Sequence, residues 1–313
     1  MSRSVPLPHA LAGGPFTLAS GAGQGLSEKR MRGADLAKPF SGVRTTPEDG
    51  FTLLGRCAAY ALLMPEGHVF SHSTAARLWG MPLPESLEIE EHLHVAAIDG
   101  TTRPRSAGVR GHEVLDSSAR VHLRSGFRVL DPVTVWLQLA ASLGLDDLVA
   151  AGDHLVMTPR FAPPGDERPY ASVDEMISRV RAFRGRGKKN ASWAVGHVRD
   201  GAESRRETLL RLELLRHGLP TPELNTEIVD DSGARIGFGD IVFRHHGVLV
   251  EYDGEQHRTS SRQYYRDVER LEALHRAGWI DVRVTRQTPR TGPASAVART
   301  ERALRSRGWA PPA

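Results

Sequence analysis

Residues 235–257 read RIGFGDIVFRHHGVLVEYDGEQH, and this stretch decides the fold of the C-terminal part of the chain. Two runs rich in β-branched and aromatic residues, 236–244 and 248–253, flank a tight connection, His245-His246-Gly247. Two such runs joined by a short loop that contains glycine are typical of a β-hairpin. We therefore predict a pair of antiparallel strands here.

Carboxylate side chains are placed on one face of this hairpin. Side chains alternate between the two faces of a strand, so Glu251 and Asp253 share a face, and Asp240 on the first strand can meet them. Carboxylates buried side by side repel one another unless a positive charge neutralises them, and a hard cation such as Mg²⁺ prefers oxygen ligands. The alternative, from the residues alone, is that these acids pair with Arg266 or Arg270.

Several motifs follow one another in a fixed order in the C-terminal third of the chain. They are Asp240, Glu251-Tyr252-Asp253-Gly254, His257, Asp267, Arg270 and Gly278-Trp279. Together they resemble the very-short-patch-repair-like branch of the PD-(D/E)XK nucleases. The preceding segment 203–225, ESRRETLLRLELLRHGLPTPELN, looks like the leading helix of that family, with Glu207 at the first acidic position. The resemblance covers residues 203–290.

The resemblance implies an α/β domain, within a chain that is α+β overall, with a restriction-endonuclease-like mixed sheet flanked by helices. It also implies that Asp240 and Glu251 bind Mg²⁺ or Mn²⁺, with Glu207 completing the acidic shell directly or through water. The expected activity is metal-dependent hydrolysis of DNA phosphodiester bonds, in phage defence or DNA repair. Arg266 and Arg270 are then candidate DNA contacts, although Arg270 can also serve to pair with an acid of the cluster.

One position departs from the family pattern. The family often has lysine two residues after the second acid, and this chain has Asp253 there. A carboxylate cannot offset developing negative charge as lysine does. Asp253 is then a further metal ligand, with His257 or Gln256 positioning water, and the candidate catalytic residues are Asp240, Glu251, Asp253 and His257. Alternatively, the domain has lost catalysis and only binds DNA.

The first 50 residues are rich in glycine and basic residues. A short helix around residues 26–32, opened by Ser27, is followed by a turn into a strand at residues 39–44. A helix followed by a short basic β element is the order expected of a winged-helix DNA-binding head. The alternative is a partly ordered arm.

Residues 51–158 predict an α+β interaction domain, and the Pro-rich loop 159–166 separates it from a nuclease-like domain at 171–313. Predicted helices cover 53–63, 71–80, 132–143 and 145–157, and predicted strands cover 92–97, 109–114 and 126–129. Segment 71–80, SHSTAARLWG, and the basic segment before it resemble the antitoxin-type regulators of abortive-infection systems over residues 15–155.

This second resemblance implies a DNA-binding head followed by a domain that binds a protein partner. Arg30 and Arg32 are its candidate phosphate contacts, and Arg44 is its candidate wing contact. The alternative function for the whole chain is therefore a catalytically inactive, DNA-binding transcriptional regulator of antitoxin type. The third hypothesis is a small-molecule hydrolase on the same scaffold.

Three histidines have a spacing that suggests zinc. His92 and His94 can lie on one strand face, and His112 can join them. No fourth ligand is evident, and we interpret them as surface or hydrogen-bonded residues. Cys57 lies in an apolar helix and is interpreted as a small core residue.

The composition sets wider limits. The 313 residues carry a net charge of +4, which permits contact with nucleic acid. One cysteine excludes an intrachain disulfide framework. No segment has the length and apolarity of a membrane span or the pattern of a secretory signal, so we expect a cytoplasmic protein.

Overall fold

The structure, a computed structural model, describes residues 5–98, 100–162, 164–253 and 261–311, except for the side chains of residues 261–266. It is a mixed α/β protein in which helices accompany mixed sheets, and the α+β class expected from the sequence is confirmed. The chain divides into two compact units. One is Met1–Ser142 with Phe183–Gly187, and the other is Leu143–Ala182 with Lys188–Ala313.

The first unit contains a five-stranded sheet in the order β5-β4-β3-β7-β6 and a separate β1-β2 pair. Its strands are β1 (Phe16–Thr17), β2 (Val43–Arg44), β3 (His68–Phe70), β4 (Leu93–Ala97), β5 (Val109–Glu113), β6 (Val121–Arg124) and β7 (Phe127–Leu130). Its helices are α1 (Leu18–Gly23), α2 (Glu28–Met31), α3 (Pro47–Phe51), α4 (Leu53–Ala61), α5 (His72–Leu78), α6 (Glu85–Glu88) and α7 (Pro132–Leu139).

Helix α7 illustrates how local sequence starts an element of this unit. Asp131 accepts a hydrogen bond from the backbone N–H of Thr134, and Pro132 occupies the first helical position. Proline is favoured there because its missing N–H would have no helical partner. The helix then buries Trp136 completely in the core. The predicted proline-initiated helix is confirmed.

The short elements expected in the first 50 residues are present. Ser27 caps α2 by accepting from the N–H of Arg30, and β2 pairs antiparallel with β1. Helix α1 has six residues and α2 has four. The order of helix and strand agrees with the expectation, and the winged-helix assignment stays a prediction.

Cys57 of α4 is fully buried. Burial raises the pKa of its thiol to about 12, since the charged thiolate is poorly solvated away from water. The prediction of a small core residue is confirmed.

The second unit is built around a four-stranded sheet in the order β11-β10-β9-β8. The pairs β8–β9 and β9–β10 are antiparallel, whereas β10 and β11 are parallel. The strands are β8 (Glu223–Val229), β9 (Arg235–Phe243), β10 (Val248–Asp253) and β11 (Ile280–Thr285). The helices are α8 (Leu145–Val156), α9 (Val173–Ala182), α10 (Lys188–Val195), α11 (Arg205–Arg216), α12 (Ser261–Arg276) and α13 (Ala296–Ser306).

Both faces of this sheet carry a hydrophobic core. On one face, Val248 and Val250 of β10 pack with Leu214 of α11 and Leu304 of α13. On the other face, Leu249 packs in a cluster that includes residues of β8, β9 and α12. A strand covered on both faces reads as a nearly continuous apolar run, and this explains the composition of β10.

The predicted β-hairpin is confirmed. Val248 lies opposite Phe243 and Val250 lies opposite Ile241 in an antiparallel register. The connection is a single 3-10 turn that ends at Gly247, whose φ is +58°. Glycine adopts this left-handed conformation without the steric cost that a side chain imposes.

The compact units differ from the three domains expected from the sequence. Helix α8, expected within 51–158, belongs to the second unit, and the contact pattern draws no boundary at residue 50. The physical reason lies in α8 itself. Asp153 is almost fully buried and accepts hydrogen bonds from Thr208 and Arg211 of α11, at 2.7 Å each. These contacts fasten α8 to the helix that precedes the sheet.

No helix within the part of the chain that the structure describes has both the length and the apolarity needed to cross a membrane.

Candidate functional site

Asp240 and Glu251 lie side by side where the β9–β10 hairpin pairing ends. The register places Val250 opposite Ile241, so the next pair along the strands is Glu251 and Asp240. Beyond this point, the backbone N–H of Tyr252 donates to Oδ2 of Asp240 at 3.0 Å. The meeting of Asp240 with Glu251 across the hairpin is therefore as predicted.

The carboxyl group of Asp240 is electrostatically disfavoured as an anion. Burial raises its pKa, repulsion from Glu207 and Glu251 raises it further, and the value reaches about 7. The N–H of Tyr252 and the guanidinium of Arg270 oppose this rise only in part. Asp240 therefore exchanges its proton near neutral pH, where an ordinary aspartate is ionised.

Glu251 is held by Arg270 of α12 in a two-pronged ion pair. The guanidinium donates to both carboxylate oxygens, at 2.9 Å and 2.5 Å, and also to the backbone oxygen of Phe238 at 2.7 Å. Both side chains are mostly buried. Of the two roles considered for Arg270, the structure shows the pairing with an acid of the cluster.

Asp253 turns toward a different cation. Its carboxylate lies 3.9 Å from the guanidinium of Arg283 on β11, which also contacts Glu251 at 3.9 Å and Asp281 at 3.0 Å. Arg283 is opposite Glu251 in the parallel β10–β11 register. Arg283 could not be assigned to the site from the sequence, because the sequence of one strand does not fix its register with a parallel neighbour.

Glu207 lies in the first turn of α11 and helps to cap that helix. Its carboxylate accepts from the hydroxyl of Ser204 at 2.7 Å and from the backbone N–H of Glu203 at 2.9 Å. Ser204 in return accepts from the N–H of Glu207, a reciprocal pair that caps the helix. Burial raises the pKa of Glu207, and its charge contributes to the raised pKa of Asp240.

The acids do not form a three-ligand cluster. Among the residues that the structure describes, the one group of three ligand atoms within 4.8 Å of one another is His72, His94 and His112. The expectation that Asp240, Glu251 and Asp253 converge on one ion is therefore corrected. Arg270 pairs with both oxygens of Glu251, and Arg283 lies 3.9 Å from Glu251 and from Asp253, so guanidinium groups already lie where a shared ion would be needed.

Two proteins of Mycobacterium tuberculosis are similar to this chain along most of its length. They are the uncharacterized protein Rv2248 of strain H37Rv and the uncharacterized protein MT2308 of strain CDC 1551 / Oshkosh. Each is 26% identical over 278 residues, which cover 88% of this chain and 94% of the relative. No protein-family model and no solved structure matches the chain. The similarity extends into both compact units and carries no named activity.

Two of the predicted site residues lie beyond what the structure describes. His257, the candidate for positioning water, lies outside the described residues, and so does Gln256. Arg266 lies within α12, but its side chain is not among those described. Their roles stay predictions.

The three candidate DNA contacts of the first 50 residues have different surroundings. Arg44 is buried and donates to the backbone oxygens of Met31 and Val43. Its assignment as a wing contact is corrected, because a guanidinium used inside the unit does not reach a phosphate. Arg30 is mostly buried and pairs with Asp35. Arg32 remains accessible at 71% exposure, paired with Glu28.

Proposed function

We propose that the second unit is a metal-dependent DNA endonuclease that hydrolyses phosphodiester bonds. The observation that carries the proposal is the placement of the buried Asp240 carboxyl beside Glu251 at the end of the hairpin pairing, where burial and two neighbouring carboxylates raise its pKa to about 7. Such a cluster of acids is costly in free energy until a cation neutralises it. A purely structural ion pair would need only Glu251 and Arg270. Asp240 adds a second acid beside that pair.

The donor set fits a hard divalent cation. Asp240 and Glu251 would hold Mg²⁺ or Mn²⁺ with their carboxylate oxygens, and Glu207 would act through water because its own oxygens cap α11. When bound, the ion supplies a lowered pKa for a coordinated water and stabilises charge on the phosphodiester. To bind the cation, Glu251 would have to give up one of its two contacts with Arg270.

In this proposal, Arg270 takes the role that lysine has in the family pattern. Its guanidinium lies against Glu251 and carries several donors in a planar fork that suits phosphate oxygens. If Glu251 bound the cation, the guanidinium of Arg270 would be available to contact the phosphate and offset its negative charge. Asp253, which stands where the family often has lysine, then needs no catalytic role.

The resemblance to PD-(D/E)XK nucleases supports the same proposal. A mixed sheet with helices on both faces agrees with what that resemblance implies. DNA is then the substrate, the cytoplasm is the compartment, and phage defence or DNA repair is the setting.

Cleavage of plasmid and single-stranded DNA with Mg²⁺ or Mn²⁺ tests the proposal. We expect Asp240→Asn and Glu251→Gln to lose at least about 100-fold in rate, since changes even in groups that only support metal ligands cost 10- to 100-fold. Glu269→Gln, at an exposed acid on α12 that lies outside the motifs, is the matched control and keeps the wild-type rate. Cleavage that survives both site substitutions would exclude this site.

A second candidate function is a DNA-binding regulator of antitoxin type with an inactive nuclease-like domain. The pairing of both Glu251 oxygens with Arg270 favours it, because a carboxylate so engaged has less affinity for a metal. The regulator would bind a protein partner through residues 51–158. Absence of cleavage, together with DNA binding that weakens steeply with salt and depends on Arg32, would support this function instead.

A further inference from the structure

Three histidines from separate elements of the first unit meet at one point. His72 is the first residue of α5, His94 lies in β4, and His112 lies in β5. One ring nitrogen from each lies within 4.8 Å of the other two. In the parallel β4–β5 register His94 lies opposite Arg110, so His112 is two residues further along β5 and on the same face as His94. The start of α5 adds His72.

The ring nitrogens already form a directed network. Nε2 of His112 lies 2.9 Å from Nδ1 of His94, and Nε2 of His94 lies 3.1 Å from Oε1 of Glu90. Glu90 is itself fixed by the hydroxyl of Ser73 at 2.6 Å and by Arg110 at 3.0 Å. A carboxylate on the far nitrogen of a histidine fixes its tautomer and increases its basicity as a metal ligand.

His72 sits in a conformation that its local sequence does not favour. Its φ is +47°, a left-handed value that is uncommon for residues other than glycine. The N–H of His72 donates to Oε1 of Gln138 at 2.9 Å, which helps hold the backbone there. The ring stacks on His112 with centroids 3.7 Å apart. Strained backbone of this kind is concentrated at sites that bind ligands.

The histidines are in the form that binds metal. Burial, followed by repulsion from the neighbouring imidazoles, lowers the pKa of His72 to about 3 and that of His112 to about 4. Burial also lowers the pKa of His94. Burial thus favours the neutral form of all three rings, and a neutral imidazole has a lone pair to give.

We propose that His72, His94 and His112 form a transition-metal site that binds Zn²⁺, with Glu90 orienting His94. Nδ1 of His94 and Nε2 of His112 are two of the ligand atoms, and a nitrogen of His72 is the third after the stacked rings turn. Three protein nitrogens leave a fourth tetrahedral position for water or a small ligand. The site lies in the first unit and does not depend on the proposed nuclease function.

This site differs from the zinc triad considered from the sequence. His92 precedes β4 and is exposed, so it does not join the other two. His72 takes its place, from a position 22 residues before His94. The pattern of strand alternation alone could not suggest it, because His72 belongs to a helix.

Binding of Zn²⁺ and of Co²⁺ to the full-length, tag-free chain tests the proposal. We expect one equivalent of Zn²⁺ to bind the wild type and to be lost in His112→Ala and in His72→Asn. Asparagine tolerates the left-handed backbone at position 72, so the second variant tests the site without straining the fold. His92→Ala removes a nearby histidine outside the site and should bind as the wild type does.

Two further measurements keep the outcome decisive. The visible absorption of bound Co²⁺ should disappear in the two site variants and persist in His92→Ala, with circular dichroism confirming that each variant is folded. Glu90→Gln should keep the stoichiometry and weaken the affinity 10- to 100-fold. The proposal is overturned if folded His72→Asn retains the equivalent, or if His92→Ala loses it as well.

Discussion

The Asp240 carboxylate is repelled by two neighbouring carboxylates and accepts one hydrogen bond, from the backbone N–H of Tyr252. The excess of negative charge makes the stability of the protein depend on pH. Its pKa in the folded state, about 7, lies above the ordinary aspartate value of 3.8. The folded state therefore binds more protons than the unfolded state between these values, and stability falls as pH rises from about 4 to about 7. The cost is fully present at pH 8 and absent below pH 4.

Replacing Asp240 with asparagine removes this cost. Because the amide cannot ionise but still accepts from Tyr252, Asp240→Asn should be more stable than the wild type at pH 8, by an upper limit of about 4 kcal/mol at about 1.4 kcal/mol per pKa unit. Near pH 4 the two should unfold alike. Urea unfolding at both pH values measures this, with Glu269→Gln as control. A constant difference at both pH values would contradict the assigned pKa.

How far single residues could be predicted depends on how local their partners are. Asp240 and Glu251 could be paired from sequence because a short connection joins their strands and the period of two fixes their faces. Arg283 could not be paired with Glu251 from the sequence. A helix separates β10 from β11, so no short connection fixes the register of the two strands. His72 could not be predicted either, because its partners His94 and His112 lie in another kind of element.

Among the elements, α8 and α11 are joined by a buried ion pair. Asp153 and Arg211 have side chains that are 1% and 3% exposed. The same carboxylate also accepts from Thr208 and from the backbone N–H of Arg199. Both oxygens of Asp153 are thereby hydrogen-bonded, and such bonds help a charged pair to be buried.

Removing one partner of this pair should be severe. Asp153→Ala leaves Arg211 buried and unpaired, and we expect a loss of roughly 3 to 5 kcal/mol in the free energy of unfolding. Asp146→Ala on the same helix removes a partner of the more exposed Arg216, and it should cost less than about 1 kcal/mol. Chemical denaturation of the two variants makes the comparison, and equal losses would show that the buried pair has no special weight.

Elements with a start signal were predictable even when short, whereas the short strands β3 and β6 were not. Ser27 before α2 and Pro132 at the start of α7 identify those helices in the sequence. Strand β3 has three residues and β6 has four, too few for a period to be recognised. These strands exist because neighbouring strands of the sheet supply their hydrogen bonds.

At the scale of the whole molecule, the boundary between units falls before α8. The Pro-rich loop at 159–166 suggested a linker, but its start is held within the second unit. The backbone and hydroxyl of Thr158 bond to Asp200 at 2.7 and 2.8 Å, and Arg160 pairs with Glu203 at 2.8 Å. Composition marks a loop, and only tertiary contacts decide whether a loop separates domains.

Two truncated chains test this boundary. The fragment 143–313 keeps α8 and should melt cooperatively. The fragment 171–313 lacks α8, exposes the apolar residues packed against it, and leaves Arg211 without Asp153, so it should show no cooperative transition. Circular dichroism melting distinguishes them. If both fragments melt at the same temperature, α8 is not part of the folded unit.

The buried thiol has a practical consequence. Cys57 is the single cysteine of the chain, and its raised pKa of about 12 leaves almost no thiolate at neutral pH, the form that reacts with maleimides. A fluorophore or spin label can therefore be attached to a cysteine introduced on the surface while the native one stays in place. One label on each unit would report the distance between them in solution.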